Sequence, residues 1–412
     1  MRFIAYKIFF SRQLFYGWWV VLACFFIGLY ISGITFYGFT AFIEPLKKEF
    51  GWSYAQISFA ASLRGLEMGI FAPVIGFFID RLGPRKVIVC GLIAVCAGFF
   101  LMSFAQSLLM FYGAFVLISF GAGGCTSLVT ISLAANWFHK DVGKAIGIAV
   151  SGMGASGLMI PLIVLLIESC GWRNAVIILA LGAVIIGFPF LSVIRNRPEE
   201  CGLFPDGKEP IADASGNQTE SADPAILWRD AIKRKAFLLL NFAEFVRMMA
   251  VSALATHVMP YLSSIGLSRS IAGFVAASIP LCSIIGRVSF GWLGDIFEKR
   301  WVMVFTFAFM SLGMLAFSQA HIFAFLILFL FIFPPSYGGA TVLRGSILRE
   351  YFGRSSFGKM LGIIMGSASI GGIVGPTLAG WVFDTVGTYF IIWVFFSILI
   401  FIMAVATIQI KP

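Results

Sequence analysis

The sequence predicts an all-α membrane protein of twelve transmembrane helices in two pseudo-symmetric six-helix bundles, and three observations carry that prediction. Of its 412 residues, 60% are hydrophobic and only 12% charged, with a mean hydropathy of +0.97; no water-soluble fold buries that much apolar surface. Twelve apolar stretches reach the roughly 20 residues that a hydrocarbon core about 30 Å thick requires. An internal repeat at one constant offset divides them six and six.

The stretches lie near 16–44, 54–79, 87–105, 108–137, 143–167, 174–194, 236–264, 270–293, 301–319, 321–348, 356–383 and 387–408. The first follows Arg2, Lys7 and Arg12 and so imitates a signal peptide. It is too long for one and lacks a small-residue cleavage site, so it reads as a span. Between the sixth and seventh stretches, residues 195–235 are rich in Pro, Asp, Glu, Ser and Lys/Arg and cannot cross a membrane. They read as a solvated linker, with 1–194 the N-terminal bundle and 236–412 the C-terminal bundle.

Alternate connections differ sharply in basic residues. One side holds Arg81, Arg85, Lys86, Lys140, Lys144, Lys299, Arg300, Arg349, Arg354 and Lys359 together with both termini and the linker, whereas the other holds only Lys47, Lys48, Arg173 and Arg269. Both termini are therefore expected in the cytoplasm, for a multi-pass protein of the plasma (inner) membrane. The net charge of +10 belongs to these loops, so no nucleic-acid partner is inferred. The Asn217-Gln218-Thr219 sequon falls on the same side and reads as a chance match.

Shifting the chain by 215 residues aligns Pro45 with Pro260, Gly51 with Gly266, Gly76 with Gly291, Asp80 with Asp295, Gly143-Lys144 with Gly358-Lys359, Gly147 with Gly362 and Pro161 with Pro376. A parallel repeat of this kind places a site between the halves near the bilayer midplane, reached alternately from each side. Glycines line helices 5 and 11 on one face, suited to close helix packing or to surfaces on which the halves rock.

The loop after the second span, Gly76-Phe-Phe-Ile-Asp80-Arg81-Leu-Gly83-Pro-Arg85-Lys86, and its second copy Gly291-Trp-Leu-Gly-Asp295 resemble the signature of the major facilitator superfamily. The resemblance implies a conformational latch built from Asp80, Arg81, Arg85 and Asp295, the acids pairing with basic residues in one state only. A narrower resemblance, to the monocarboxylate transporter and oxalate:formate antiporter branch, rests on Tyr16-Gly17-Trp18, Phe50-Gly51-Trp52-Ser53, Trp137-Phe138, Gly143-Lys144-Ala145-Ile146-Gly147, His257-Val-Met-Pro260-Tyr261 and Gly286-Arg287. It implies transport of small carboxylates, with Arg287 as the carboxylate anchor. Monocarboxylate carriers also have a lysine in helix 1 and an acid one turn before the helix 8 arginine, where this sequence holds Phe39-Thr40-Ala41 and Ser283, and the oxalate:formate type has a lysine in helix 11, where it offers Gly, Ser, Ala and Ile between Gly362 and Pro376.

Ionisable residues inside spans are costly, so each is a site candidate. Arg64 with Glu67, and Glu244 with Arg247, are three apart and share a helix face. The first pair reads as a fixed ion pair or as a proton-coupling pair; the second, near the start of helix 7, as solvated or as part of a latch. Arg287 and Arg344 are left without an evident counter-ion, and a bidentate carboxylate would relieve each of them. Substrate contacts are thus expected from Arg287, Arg344, His257, Tyr37 and Tyr261. His257 is suited either to relaying protons or to donating a hydrogen bond. Pro334-Pro335 removes two backbone donors and should kink helix 10.

No nucleophile–base pair, phosphate loop or metal cluster stands out, and the seven cysteines lie mostly in apolar segments without metal or disulfide spacing. Neither catalysis nor a cofactor is expected. The leading expectation is a monomeric secondary active transporter moving a small organic anion by alternating access, with proton symport or anion exchange; its partners are a small carboxylate, a co-transported proton and the lipid bilayer. Two other readings stay open: an exporter of a larger or hydrophobic compound whose buried charges are structural, and a transport-dead membrane sensor.

Overall fold

The structure is a computed structural model and describes residues 15–52, 56–57, 59–60, 67–207, 228–354 and 356–410. Among these the chain is helical, without strands. Among the described residues, ten segments are long and apolar enough to cross a bilayer. One of them, Val142–Val193, contains two of the expected spans, and another expected span lies partly outside the described residues.

The N-terminal half starts with α1, Tyr16–Ser32, which runs through a π-turn at Gly33–Tyr37 into Phe39–Phe50. The π-turn Glu67–Phe71 leads into the end of α2, Ala72–Leu82. Next come α3, Pro84–Ser103, and α4, Leu108–Trp137. Ser107 caps α4 by accepting the Met110 N–H at 3.3 Å, supplying a first-turn donor with its partner. The fifth helix, α5, begins as Val142–Ala155 and continues through Ser156–Met159 into Ile160–Val193. Gly171 breaks that last segment at φ 78°, a conformation glycine adopts without steric cost, and the part beyond it is α6.

The C-terminal half comprises α7, Lys235–Ser264; α8, Arg269–Ile296; α9, Lys299–Ser318; α10, Phe323–Phe352; α11, Phe357–Val386; and α12, Phe390–Thr407. Ser268 caps α8 through the Ile271 N–H, as Ser107 caps α4. Helix α10 stays continuous across Pro334 and Pro335. There the Pro335 carbonyl lies so close to α8 that a Cβ at Gly286 would sit 1.8 Å from it. Only glycine admits this approach, which sets the position of the next residue, Arg287.

Within each half the cores are apolar, built around Trp137, Phe138 and Phe111 in one and Phe317, Phe329 and Trp393 in the other. Between the halves, α5 packs on α8 and α2 on α11. Backbone meets backbone at both crossings. A Cβ at Gly143 would lie 2.3 Å from the Gly291 carbonyl, and one at Gly76 would lie 2.3 Å from the Gly358 carbonyl. The small-residue faces give close packing between the halves and also inside them, where Gly152 abuts α1 and Gly371 abuts α7.

Candidate functional site

Arg287, on α8, lies at the junction of the halves and is 7% exposed. Its Nη1 donates to the backbone carbonyl of Val150 on α5 at 2.7 Å, while its Nε has no partner. Gly154 on α5 and Gly338 on α10 frame the side chain: a Cβ at the first would sit 3.3 Å from Nη1, and at the second 3.2 Å from Cγ. Among the described residues no carboxylate reaches it. A guanidinium held by one neutral carbonyl keeps its charge uncompensated and retains donors for an anion.

Arg344 behaves differently from the sequence expectation. It is not left without a counter-ion, because Glu244 of α7 pairs with it and, at the same time, with Arg247. Glu244 Oε2 accepts the Arg247 Nε–H at 2.8 Å, and Oε1 is shared between Arg247 Nη2 and Arg344 Nη1. The three residues are 0%, 2% and 2% exposed, so the expected solvated or latch role for Glu244 and Arg247 is corrected to an interior one. The spacing of 244 and 247 revealed one pair; the third member comes from α10, a hundred residues away. Arg247 also lies 5.5 Å over the Tyr337 ring. The cluster carries one negative and two positive charges, and Arg247 Nη1 and Arg344 Nε lack partners.

His257 and Tyr261 are committed within the C-terminal half. Pro376 offers only an acceptor, so His257 Nε2 donates to its carbonyl at 3.0 Å, and Nδ1 then accepts from the Tyr389 hydroxyl at 3.1 Å. The imidazole therefore ties α7 to α11 and to the start of α12. The Tyr261 hydroxyl donates to the Phe317 and Ser318 carbonyls at 3.0 and 2.9 Å, satisfying the end of α9. Tyr37 belongs to the π-turn of α1, and its side chain lies outside the described residues, as do Arg64 and the side chain of Glu67.

On the face that bears the linker, the signature acids hold the halves together, but through partners that the loop sequence did not indicate. Asp80 accepts the N–H groups of Gly358 and Lys359 at 2.9 and 3.0 Å, at the start of α11. Asp295 accepts those of Gly143 and Lys144, both at 2.7 Å, at the start of α5. Each carboxylate caps a helix of the opposite half, where unpaired N–H groups and the helix dipole favour negative charge. The expected pairing of Asp80 with Arg81 and Arg85 is corrected: the cations acting on Asp80 are Lys359 and Arg197. Arg81 is exposed at a cavity of about 420 Å³ that Asn196, Arg197 and Arg354 also line. The Arg85 backbone N–H donates to Asn196 Oδ1 at 2.9 Å.

The linker adds to this seal. Arg354 of the C-terminal half pairs with Glu199 of the linker at 2.9 Å, and between the halves Arg349 Nε donates to the Ala135 carbonyl at 2.8 Å. Asp206 receives the N–H groups of His139 and Lys140 at 3.0 and 2.8 Å. Helical periodicity gives no sign of these contacts: Arg354, Glu199, Asp206, His139 and Lys140 lie in connections, and Arg349 and Ala135 lie on helices of different halves.

A family model described as the Major Facilitator Superfamily matches residues 25–286 and 240–412. The chain belongs to the major facilitator superfamily. It is a membrane transporter and not an enzyme. Monocarboxylate transporter 12 of Mus musculus is 28% identical over 395 residues, covering 91% of this chain and 81% of that protein. Monocarboxylate transporter 13 of Rattus norvegicus is 26% identical over 382 residues, covering 91% and 84%. Among solved structures, a proton:xylose symporter superposes with a TM-score of 0.73 at 14% identity, covering 96% of each chain. A human organic anion transporter superposes at 0.69 with 15% identity, covering 94% of this chain and 99% of that one. These two likenesses concern the fold.

For a superfamily member, the repeat could have disclosed the crosswise capping. The 215-residue offset that equates Asp80 with Asp295 also equates Gly143-Lys144 with Gly358-Lys359, and the structure pairs each acid with the dipeptide of the other half.

Proposed function

We propose that this protein is a secondary active carrier of a small organic anion, a monocarboxylate or small dicarboxylate, working by alternating access with proton symport or anion exchange. The observation that carries the reading is the contrast among the buried arginines of the C-terminal half. Arg247 and Arg344 are neutralised by Glu244, whereas Arg287 meets a single backbone carbonyl at the junction of the halves. The relatives named monocarboxylate transporters support it.

On this reading residues 1–194 and 236–412 rock as two bodies joined by 195–235, the termini and linker are cytoplasmic in the plasma (inner) membrane, and the carrier acts as a monomer. Asp80 and Asp295 then close the cytoplasmic exit. A carboxylate arriving at Arg287 competes with the Val150 carbonyl and so loosens a contact between the halves. In the N-terminal half, Arg64 and Glu67 are a candidate coupling pair.

The test uses purified protein in vesicles, with imposed gradients of labelled lactate, pyruvate, oxalate or formate. Uptake of at least one of these, lost in Arg287→Gln, is the expected result. Uptake unaffected by that substitution would overturn the anchor.

A further inference from the structure

The Glu244 cluster has no part in the anchor just described, yet it adjoins it. Gly338 of α10 touches Arg287, and its neighbour Tyr337 lies beneath Arg247. One carboxylate there holds two guanidinium groups in a region closed to solvent, so a net positive charge is buried. Arg247 Nη1 and Arg344 Nε, together with Asn241 Oδ1 one turn earlier on α7, are left without hydrogen bonds. A structural ion pair needs one arginine, and the surplus cation is costly to bury unless an anion arrives to share it.

Resting on the carboxylate reading above, we propose that Glu244 carries the coupled proton and that Arg247 and Arg344 form a second station for the substrate carboxylate, on the linker side of Arg287. The charge balance decides between the possible steps. Protonating Glu244 alone would leave two uncompensated guanidinium groups. Bringing in a carboxylate alone would set it against the Glu244 carboxylate, and like charges at close range disfavour one another. Doing both together keeps the buried charge unchanged: Glu244 gains an O–H, and the substrate takes the arginine N–H groups that Glu244 releases. On departure the substrate leaves with that proton, and Glu244 recovers both arginines. The charged groups acting on Glu244 are Arg247 on its own helix and Arg344 from α10; Tyr337 acts on both arginines. Among the described residues, α8, α11 and α12 add none.

The experiment is uptake into reconstituted vesicles of whichever labelled carboxylate, among lactate, pyruvate, oxalate and formate, the wild type takes up. A one-unit pH step sustains at most about tenfold accumulation by one-to-one symport, and the wild type should approach this. Glu244→Gln should bring the ratio of uptake with and without the step to about one, with exchange at symmetric pH still measurable, and Glu244→Asp should restore the ratio. If Glu244→Gln does not fold, Glu244→Gln with Arg344→Gln, which removes one charge of each sign, should also give a ratio of about one. Accumulation near tenfold in either variant, or its loss in Glu67→Gln with retention in Glu244→Gln, would overturn the proposal and leave the carrier reading standing. Wild-type protein that takes up none of the four would remove both.

Discussion

Arg287 donates to the Val150 carbonyl across the junction of the halves, at 2.7 Å. On the carrier reading proposed above, the residue that holds the anion is therefore also a tie between the two halves. Arg287→Lys keeps the charge but loses the planar fork that grips a carboxylate bidentately. Its apparent affinity for substrate should fall by about tenfold or more, corresponding to roughly 1.5–3 kcal/mol for a charged hydrogen bond, while Arg287→Gln should abolish binding. Equilibrium binding of labelled substrate checks both, and equal affinity in Arg287→Lys and the wild type would count against a bidentate contact.

The crosswise caps predict a shift in conformational balance. Asp80→Asn or Asp295→Asn retains a side-chain acceptor but loses the charge that strengthens these bonds, about 1 kcal/mol each at a helix N-terminus. Each substitution should raise the open population on the linker face about fivefold, read as faster labelling of a cysteine placed at Ala135. The double variant should exceed either one.

Gly143→Ala acts by volume rather than charge. The new methyl would stand 2.3 Å from the Gly291 carbonyl, so α5 and α8 could no longer meet on the linker face. The variant should fold, since the clash disappears when the halves separate, but transport should fall by at least tenfold. Normal turnover would show that the cycle does not require α5 and α8 to close this tightly.

The Glu244 cluster predicts an asymmetry in stability. Glu244→Gln strands two buried guanidinium groups and should cost about 3–5 kcal/mol. Arg344→Gln leaves the Glu244–Arg247 pair intact and should cost clearly less. Thermal denaturation in detergent distinguishes them, and equal losses would mean that Arg247 alone does not satisfy Glu244.

Tyr261→Phe removes the bonds to the Phe317 and Ser318 carbonyls. It should lower stability by about 1–3 kcal/mol with KM unchanged, because the hydroxyl is already committed within its own half. A raised KM with unaltered stability would restore Tyr261 to the substrate contacts.

Membrane class, the two-fold repeat and the equivalence of Asp80 with Asp295 were legible because each depends on local composition or on one fixed offset along the chain. Hydrophobic runs must match the thickness of oil, and Asp80 and Asp295 occupy equivalent places whichever way the helices pack. Tertiary structure alone decided which charges find each other. Arg344 meets Glu244 because α10 packs against α7, and Asp80 reaches Gly358 rather than Arg81 because α2 crosses α11 where two glycines let the backbones touch. Ion pairing and capping are settled by a few ångströms between residues far apart in sequence, and that distance exists only once the helices have packed.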